Sequence, residues 1–202
     1  MTKTLDFNID FKALATCAPA MSNEETRYYL CGVHIFEREG QVIYETTNGH
    51  FLIQVISEQL QADMDFIGLN IIVPAFLVNN LAKKSFQKGF GVTKDELLVA
   101  CHVDNLRLNV EMNDGLINFK LIDGTFPDTS RVIPDAASCK ERNLSFDELG
   151  FNASYMDKLY KSERLNGGLG MIKLAFSDEN QGPIRVTGNL PNWLAVLMPT
   201  RI

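Results

Sequence analysis

Alternating apolar and polar positions recur along this chain in a fixed order. Residues 5–10, LDFNID, alternate with period two, the pattern of a half-buried strand. The next stretch, FKALATCAPAM, puts Phe11, Leu14, Ala15 and Ala18 at helical spacing, and Pro19 with the SNEET turn stops it. Three strand-like runs follow: YYLCGVHIFE, QVIYETT and FLIQVIS. REG and NG divide them, and Asn48-Gly49 suits the positive φ of a tight hairpin. His34 falls among alternating residues and is assigned to the solvent face.

The same order returns twice. GLNIIVP predicts a strand, Pro74 the first turn of a helix through PAFLVNNLAKKSF, and GFGVTKDELLVAC, NLRLNVEM and GLINFKLID a second meander. Leu106, Leu108, Val110 and Met112 alternate, as do Ile117, Phe119 and Leu121, so one face of each strand points inward. The third unit opens with SFDELGF. Asn152 caps the helix ASYMDKLYKSERL, whose Tyr155, Met156, Leu159 and Tyr160 share a face, and NGG ends it. GMIKLAFS, GPIRVTG and WLAVLMP complete its meander. The polar, aperiodic stretch DAASCKERN reads as a linker.

The pattern predicts an α+β protein of three β-α-β-β-β units with antiparallel sheets and one helix per unit on one face. A single unit buries one side only and must pair with another. The predicted divisions are 1–134 for two units, 135–145 for the linker and 146–202 for the third unit.

Composition narrows the function. The 202 residues are 46% hydrophobic and 22% charged, enough for a substantial core. A net charge of −6 does not attract nucleic acid, so any such contact needs a local basic face. No apolar run reaches the ~20 residues of a membrane span, and MTKTLDFNID lacks the apolar core of a signal peptide. Cys17, Cys31, Cys101 and Cys139 form no C-x-x-C pair and read as reduced thiols of a cytoplasmic protein.

Catalytic chemistry finds no purchase. His34, His50 and His102 lack metal-ligand spacing. The chain contains no nucleophile elbow, P-loop or zinc-protease motif, and NGGLG follows a helix, where carbonyls and not amides are presented. Neither Cys31 nor Cys101 has an identifiable base. The expectation is a protein without catalytic residues, metal or cofactor.

Cations are few but placed on helices: Lys12 on the first, Lys83, Lys84 and Lys88 on or just past the second, Lys158, Lys161 and Arg164 on the third. Acidic residues concentrate in turns and linkers. A mildly basic stripe of this kind suits a loose, sequence-blind hold on a DNA backbone.

Five motifs in order, SNEETRYYLCGVHIF, TTNGHFL, KLIDGTFPDTSRVIP, LGFNASYMDKL and VLMPTRI, resemble those of the bacterial DNA polymerase III beta subunit, the sliding clamp. The resemblance covers Leu5–Pro134 and Phe146–Ile202. It implies a DNA-clamp fold, with sheets outside and helices lining a central hole through which duplex DNA passes. Units one and two resemble a complete middle domain and unit three the second half of the last domain, a shortened form without the N-terminal domain. A family ring holds twelve units, so three per chain imply a homotetramer, with a dimer as the fallback. The implied function is a non-catalytic processivity factor that tethers DNA polymerase and other clamp-binding proteins and is opened by a clamp loader. The alternative is a truncated clamp acting as a decoy or regulator of a full-length clamp without encircling DNA.

The resemblance also implies a partner-peptide pocket. Its lining would be Leu30, Thr47, Gly49, His50, Phe51, Leu52, Pro127, Arg131, Val132, Tyr155, Val196, Leu197, Met198, Pro199 and Arg201. Phe51 stands where the family usually has arginine, and Thr129 and Ser130 stand where an aromatic and a basic residue are common, which implies a more apolar groove. On the DNA side, Arg27 matches the basic residue before YYL.

Overall fold

The computed structural model describes residues 5–57, 66–81, 98–112, 115–137, 139, 150–176 and 182–200. Unit one comprises β1 (Leu5–Asp10), α1 (Phe11–Cys17), β2 (Gly32–Arg38), β3 (Gln41–Thr47) and β4 (Phe51–Ile56). Unit two comprises β5 (Asn70–Pro74), α2 (Ala75–Leu81), β6 (Leu98–Asp104), β7 (Arg107–Met112) and β8 (Gly115–Lys120). Unit three contributes α3 (Ala153–Leu165), β9 (Lys173–Phe176), β10 (Ile184–Thr187) and β11 (Trp193–Leu197). Its expected first strand, its linker and Lys83, Lys84 and Lys88 lie wholly or mostly outside the described residues.

Local chemistry sets the boundaries. Asp10 accepts the Ala13 amide at 3.0 Å and starts α1, and Asn152 accepts the Ser154 amide at 2.9 Å and starts α3. Helix α1 ends at Cys17, where Pro19 turns the chain into a short 3-10 turn, so the first helix is shorter than its apolar spacing suggests. Pro74 closes β5 instead of opening the helix, because its neighbour Gly32 pairs with it in β2. Tyr28, Tyr29 and Leu30, read from the sequence as the start of a strand, belong to a 3-10 turn, Glu25–Leu30, kinked at Arg27.

Units one and two exchange their first strands. β1 pairs with β6, and β5 pairs with β2, all antiparallel. This gives a four-stranded sheet, β1-β6-β7-β8, and a second sheet begun by β5-β2-β3-β4. Unit three extends the second sheet to seven strands, because β11 pairs with β4 in the register Val196↔Leu52.

Strand alternation then divides the large sheet into two faces. Ile35, Tyr44, Val55 and Trp193 stand in one cross-strand row on the core side, against α1. The polar bonds of this face are made within the protein: the Asp10 amide donates to Tyr44 Oη at 2.8 Å, and Ser57 donates to Asp10 Oδ2 at 3.0 Å. Burial pushes the Tyr44 phenol and the Cys17 thiol well above their ordinary pKa values. Among the described residues, no helix is long and apolar enough to cross a membrane.

Candidate functional site

The opposite face of the large sheet carries the site. Thr47, Leu52 and Val196 form one cross-strand row there, and His34, Glu45 and Gln54 form the next. A strap, residues 126–132, crosses both rows. Over the first row it leaves a concavity of about 180 Å³, lined by Thr47, Gly49, His50, Phe51, Leu52, Pro127, Asp128, Thr129, Val132, Val196 and Met198.

The turn that rims this concavity is rigid for local reasons. Asn48 Oδ1 accepts the amides of His50 at 3.0 Å and Phe51 at 3.2 Å, while Thr47 Oγ1 accepts from Gly49 and donates to the Phe51 carbonyl at 2.7 Å. Gly49 takes φ 89°, and a side chain there would also strike Arg27 Nη1. The Met198 amide donates to the His50 carbonyl at 2.9 Å, which fastens the exit of β11 to the same turn. Tyr155 of α3 packs its ring against Phe51, centroids 5.0 Å apart, and against His50 at 5.7 Å. Lys158, one turn further along α3, sits 5.7 Å from the Phe51 ring centre.

Nine of the residues assigned to a pocket from the sequence line this concavity together. The others do not. Leu197 points to the core because it alternates with Val196. Leu30 is buried with Ile72 and Phe126, where it supports the start of the strap. Tyr155 backs Phe51 and His50. Arg131 turns outward and pairs with Asp128 at 3.0 Å. Pro199 lies just past Met198 and half-buried, and Arg201 is outside the described residues. Asp128, not assigned from sequence, lines the concavity too, as does Thr129, which the sequence marked only as a departure from the family pattern at the groove.

His34, expected on the solvent face, is buried. It stacks between Phe36 and Phe126, each centroid 4.7 Å away, with Nδ1 2.8 Å from Glu45 Oε1 and Nε2 2.9 Å from Asn70 Oδ1. The strap converts an outward strand face into an interior one. Glu45 also accepts from Gln54 Nε2 at 3.0 Å and from the Thr129 hydroxyl at 2.6 Å.

The helix cations are mostly engaged. Arg27 pairs with Glu24 and lies 3.4 Å from the Asn48 carbonyl. Lys161 pairs with Asp157 at 2.6 Å, and Arg164 donates to the Gly168 carbonyl at 3.1 Å. Lys12 lies beside Gly167, between α1 and the end of α3. Among the described residues, no group of three His, Cys, Asp or Glu side chains could hold a metal.

Exchanged first strands, antiparallel sheets and helices on one face define a class of architecture, and comparison with known proteins places it. A family model described as DNA polymerase III beta subunit, central domain, matches residues 8–128. The chain is 28% identical over 179 residues to the beta sliding clamp of Vibrio cholerae, covering 85% of this chain and 42% of that protein. It is 34% identical over 116 residues to the beta sliding clamp of Salmonella typhimurium, covering 57% of this chain and 29% of that protein. The crystal structure of the DNA polymerase III beta subunit from Thermotoga maritima matches with a TM-score of 0.74 at 15% identity, covering 98% of this chain and 66% of that one. The fold is that of the DNA sliding clamps. Because the family match spans more than half of its residues, this chain belongs to the DNA polymerase III beta subunit family. It spans less than half the length of the two curated relatives.

Proposed function

We propose that this protein acts as a sliding clamp: copies of it join edge to edge around duplex DNA and tether partner proteins through the concavity under the strap. Units one and two, residues 1–134, serve as one clamp domain. Residues 135–145 link it to the half domain 146–202. The role is non-catalytic and cytoplasmic. Contact with DNA is to the backbone, without sequence preference, and topology rather than affinity keeps the ring in place.

The observation that carries this reading is the concavity itself. It forms where unit three joins unit one, and it is mostly apolar with a few polar groups, the arrangement that suits a short linear peptide. DNA polymerase and other proteins with clamp-binding motifs are the proposed occupants, and a clamp loader opens the ring. Three units per copy reach the twelve of a family ring as a homotetramer, and a dimer would cover half of it.

The test combines mass and topology. Native mass spectrometry is expected to give four copies. The assembly loaded on nicked circular DNA is expected to persist there and to run off the same DNA once it is linearised. A monomer at micromolar concentration with and without DNA, or equal retention on both DNA forms, overturns the clamp reading.

A further inference from the structure

The strap has space on both sides. Beyond its far edge lies a second cavity of about 340 Å³, lined by His34, Phe36, Arg38 and Glu45, and it shares Pro127, Asp128 and Thr129 with the first. Apolar packing alone therefore leaves the middle of the strap free to shift toward either side. Its upstream end is held by packing. Phe126 packs on Leu30 and Ile72 and stacks on His34. Downstream, Asp128 closes its own turn by accepting from Ser130, a bond that shapes the strap and does not tie it to the sheet.

Among the described residues, one buried carboxylate ties the middle of the strap to the sheet. Glu45 is 2% exposed and receives Thr129 Oγ1–H on Oε2, beside Gln54 on the same oxygen and His34 on the other. Two side chains on the adjacent strands, His34 of β2 and Gln54 of β4, hold the carboxylate in place, so it presents a fixed acceptor to Thr129. Thr129 lines the concavity and Glu45 stands in the adjacent row of the same sheet, so this bond, across 84 residues of sequence, ties the strap wall to the sheet beside the floor.

We propose that Glu45 is a positioning residue for the partner-peptide groove: through Thr129 it sets the distance between the strap wall, Pro127–Val132, and the floor formed by Thr47, Leu52 and Val196. The inference rests on the groove being the peptide site. Glu45 is too deeply buried to meet the peptide, so it acts through the strap. Loss of the bond releases the strap toward the second cavity and changes the width of the first.

The test uses the whole protein and a fluorescein-labelled synthetic peptide bearing the clamp-binding motif of a bacterial polymerase. Fluorescence polarisation reads its Kd, and thermal unfolding is followed in parallel. Thr129→Val is expected to raise Kd about tenfold, the loss expected for one charge-assisted hydrogen bond. Thr129→Ser, which restores the hydroxyl, is expected to stay within about twofold of the wild type. Glu45→Gln gives an independent measure should Thr129→Val fail to fold. A purely structural role would lower the unfolding temperature of both valine and glutamine variants with unchanged Kd, and that result overturns the proposal. Met198→Asp separates the two readings. If it blocks binding while Thr129→Val binds like the wild type, the groove stands and the positioning role falls. If the wild type binds no peptide, both fall.

Discussion

Trp193 donates its indole N–H to Ser162 Oγ at 2.9 Å, and the same hydroxyl donates to the Thr16 carbonyl at 2.7 Å. One serine thus joins β11, α3 and α1, the three elements that bring unit three against unit one. All three side chains are fully or almost fully buried. Replacing Trp193 by Phe removes the indole donor and leaves a smaller ring in the same site. The expected cost is about 2–3 kcal/mol. For a chain of this length that lowers Tm by roughly 5–10 °C. A melting curve unchanged by Trp193→Phe would show that the junction does not depend on this bond.

Thr16 offers a change in the opposite direction. Its hydroxyl oxygen is buried and finds no partner among the described residues, although its carbonyl accepts from Ser162. Thr16→Val keeps the shape and removes the unpaired polar atom. We expect a gain of about 1 kcal/mol, read as a Tm higher by roughly 2–4 °C. Destabilisation by the valine would mean that the hydroxyl has a partner.

These bonds also mark where sequence stopped being informative. The capped helix Ala153–Leu165 and the strands Leu5–Asp10 and Gln41–Thr47 coincide with what period and capping residues indicate, because both signals are local. His34 does not. Period two places it away from the core correctly, but whether that face meets water depends on a strap 92 residues later in the chain, Phe126 being the ring stacked on it. A similar distance hid Glu45 and its bond to Thr129, a residue the motifs had marked only as a departure at the groove. Signals in their row existed, since a histidine, an acid and a glutamine paired across β2, β3 and β4 form a polar line on an otherwise apolar sheet. The motifs supplied Leu30 and Leu197 as pocket residues for the opposite reason. A motif marks a neighbourhood: alternation along β11 turns Leu197 away from the groove, and Leu30, in the 3-10 turn, is buried with Ile72 and Phe126 instead.

The strap should loosen in acid. The Ser130 hydroxyl, then the Ser130 amide and Arg131, hold the Asp128 carboxyl below its ordinary value. A carboxylate with a depressed folded pKa contributes stability above the unfolded value of about 3.9, and that contribution is lost as pH falls through the folded value. The Tm difference between wild type and Asp128→Ala is therefore expected to be steady from about pH 7 to 5 and to shrink as pH falls below the unfolded value of about 3.9. A difference that persists at the acidic end would assign the effect to the cap geometry and not to charge.

On the side proposed to face DNA, Lys12 and Arg27 should behave differently. Arg27 already faces Glu24, so its removal exposes an acid near the Asn48-Gly49 turn and frees no phosphate contact. Lys12, on α1 beside Gly167, faces no such partner in that contact. For the loaded protein, Lys12→Ala is expected to flatten the slope of log K against log salt by about 0.9 per copy that touches a phosphate. Arg27→Ala is expected to leave the slope unchanged. Equal slopes for the wild type and both variants would remove α1 from the DNA surface.

The groove itself is tested most directly at Met198. Its backbone amide is bonded to the His50 carbonyl, so the side chain is presented from a fixed backbone, and it stands 39% exposed at the mouth of the concavity. It belongs to neither the core row of β11 nor the Trp193 junction, so a change there should not disturb assembly. Met198→Asp puts a charge where a peptide's apolar side chain would be buried. Desolvating it costs at least about 2–3 kcal/mol, which weakens peptide binding by roughly 30- to 150-fold. Polarisation measures the affinity, and light scattering on the same sample measures the assembly. The expected result is lost binding at unchanged mass. Full affinity in the aspartate variant would place the peptide elsewhere on the surface, and a changed mass would make this segment part of a subunit contact.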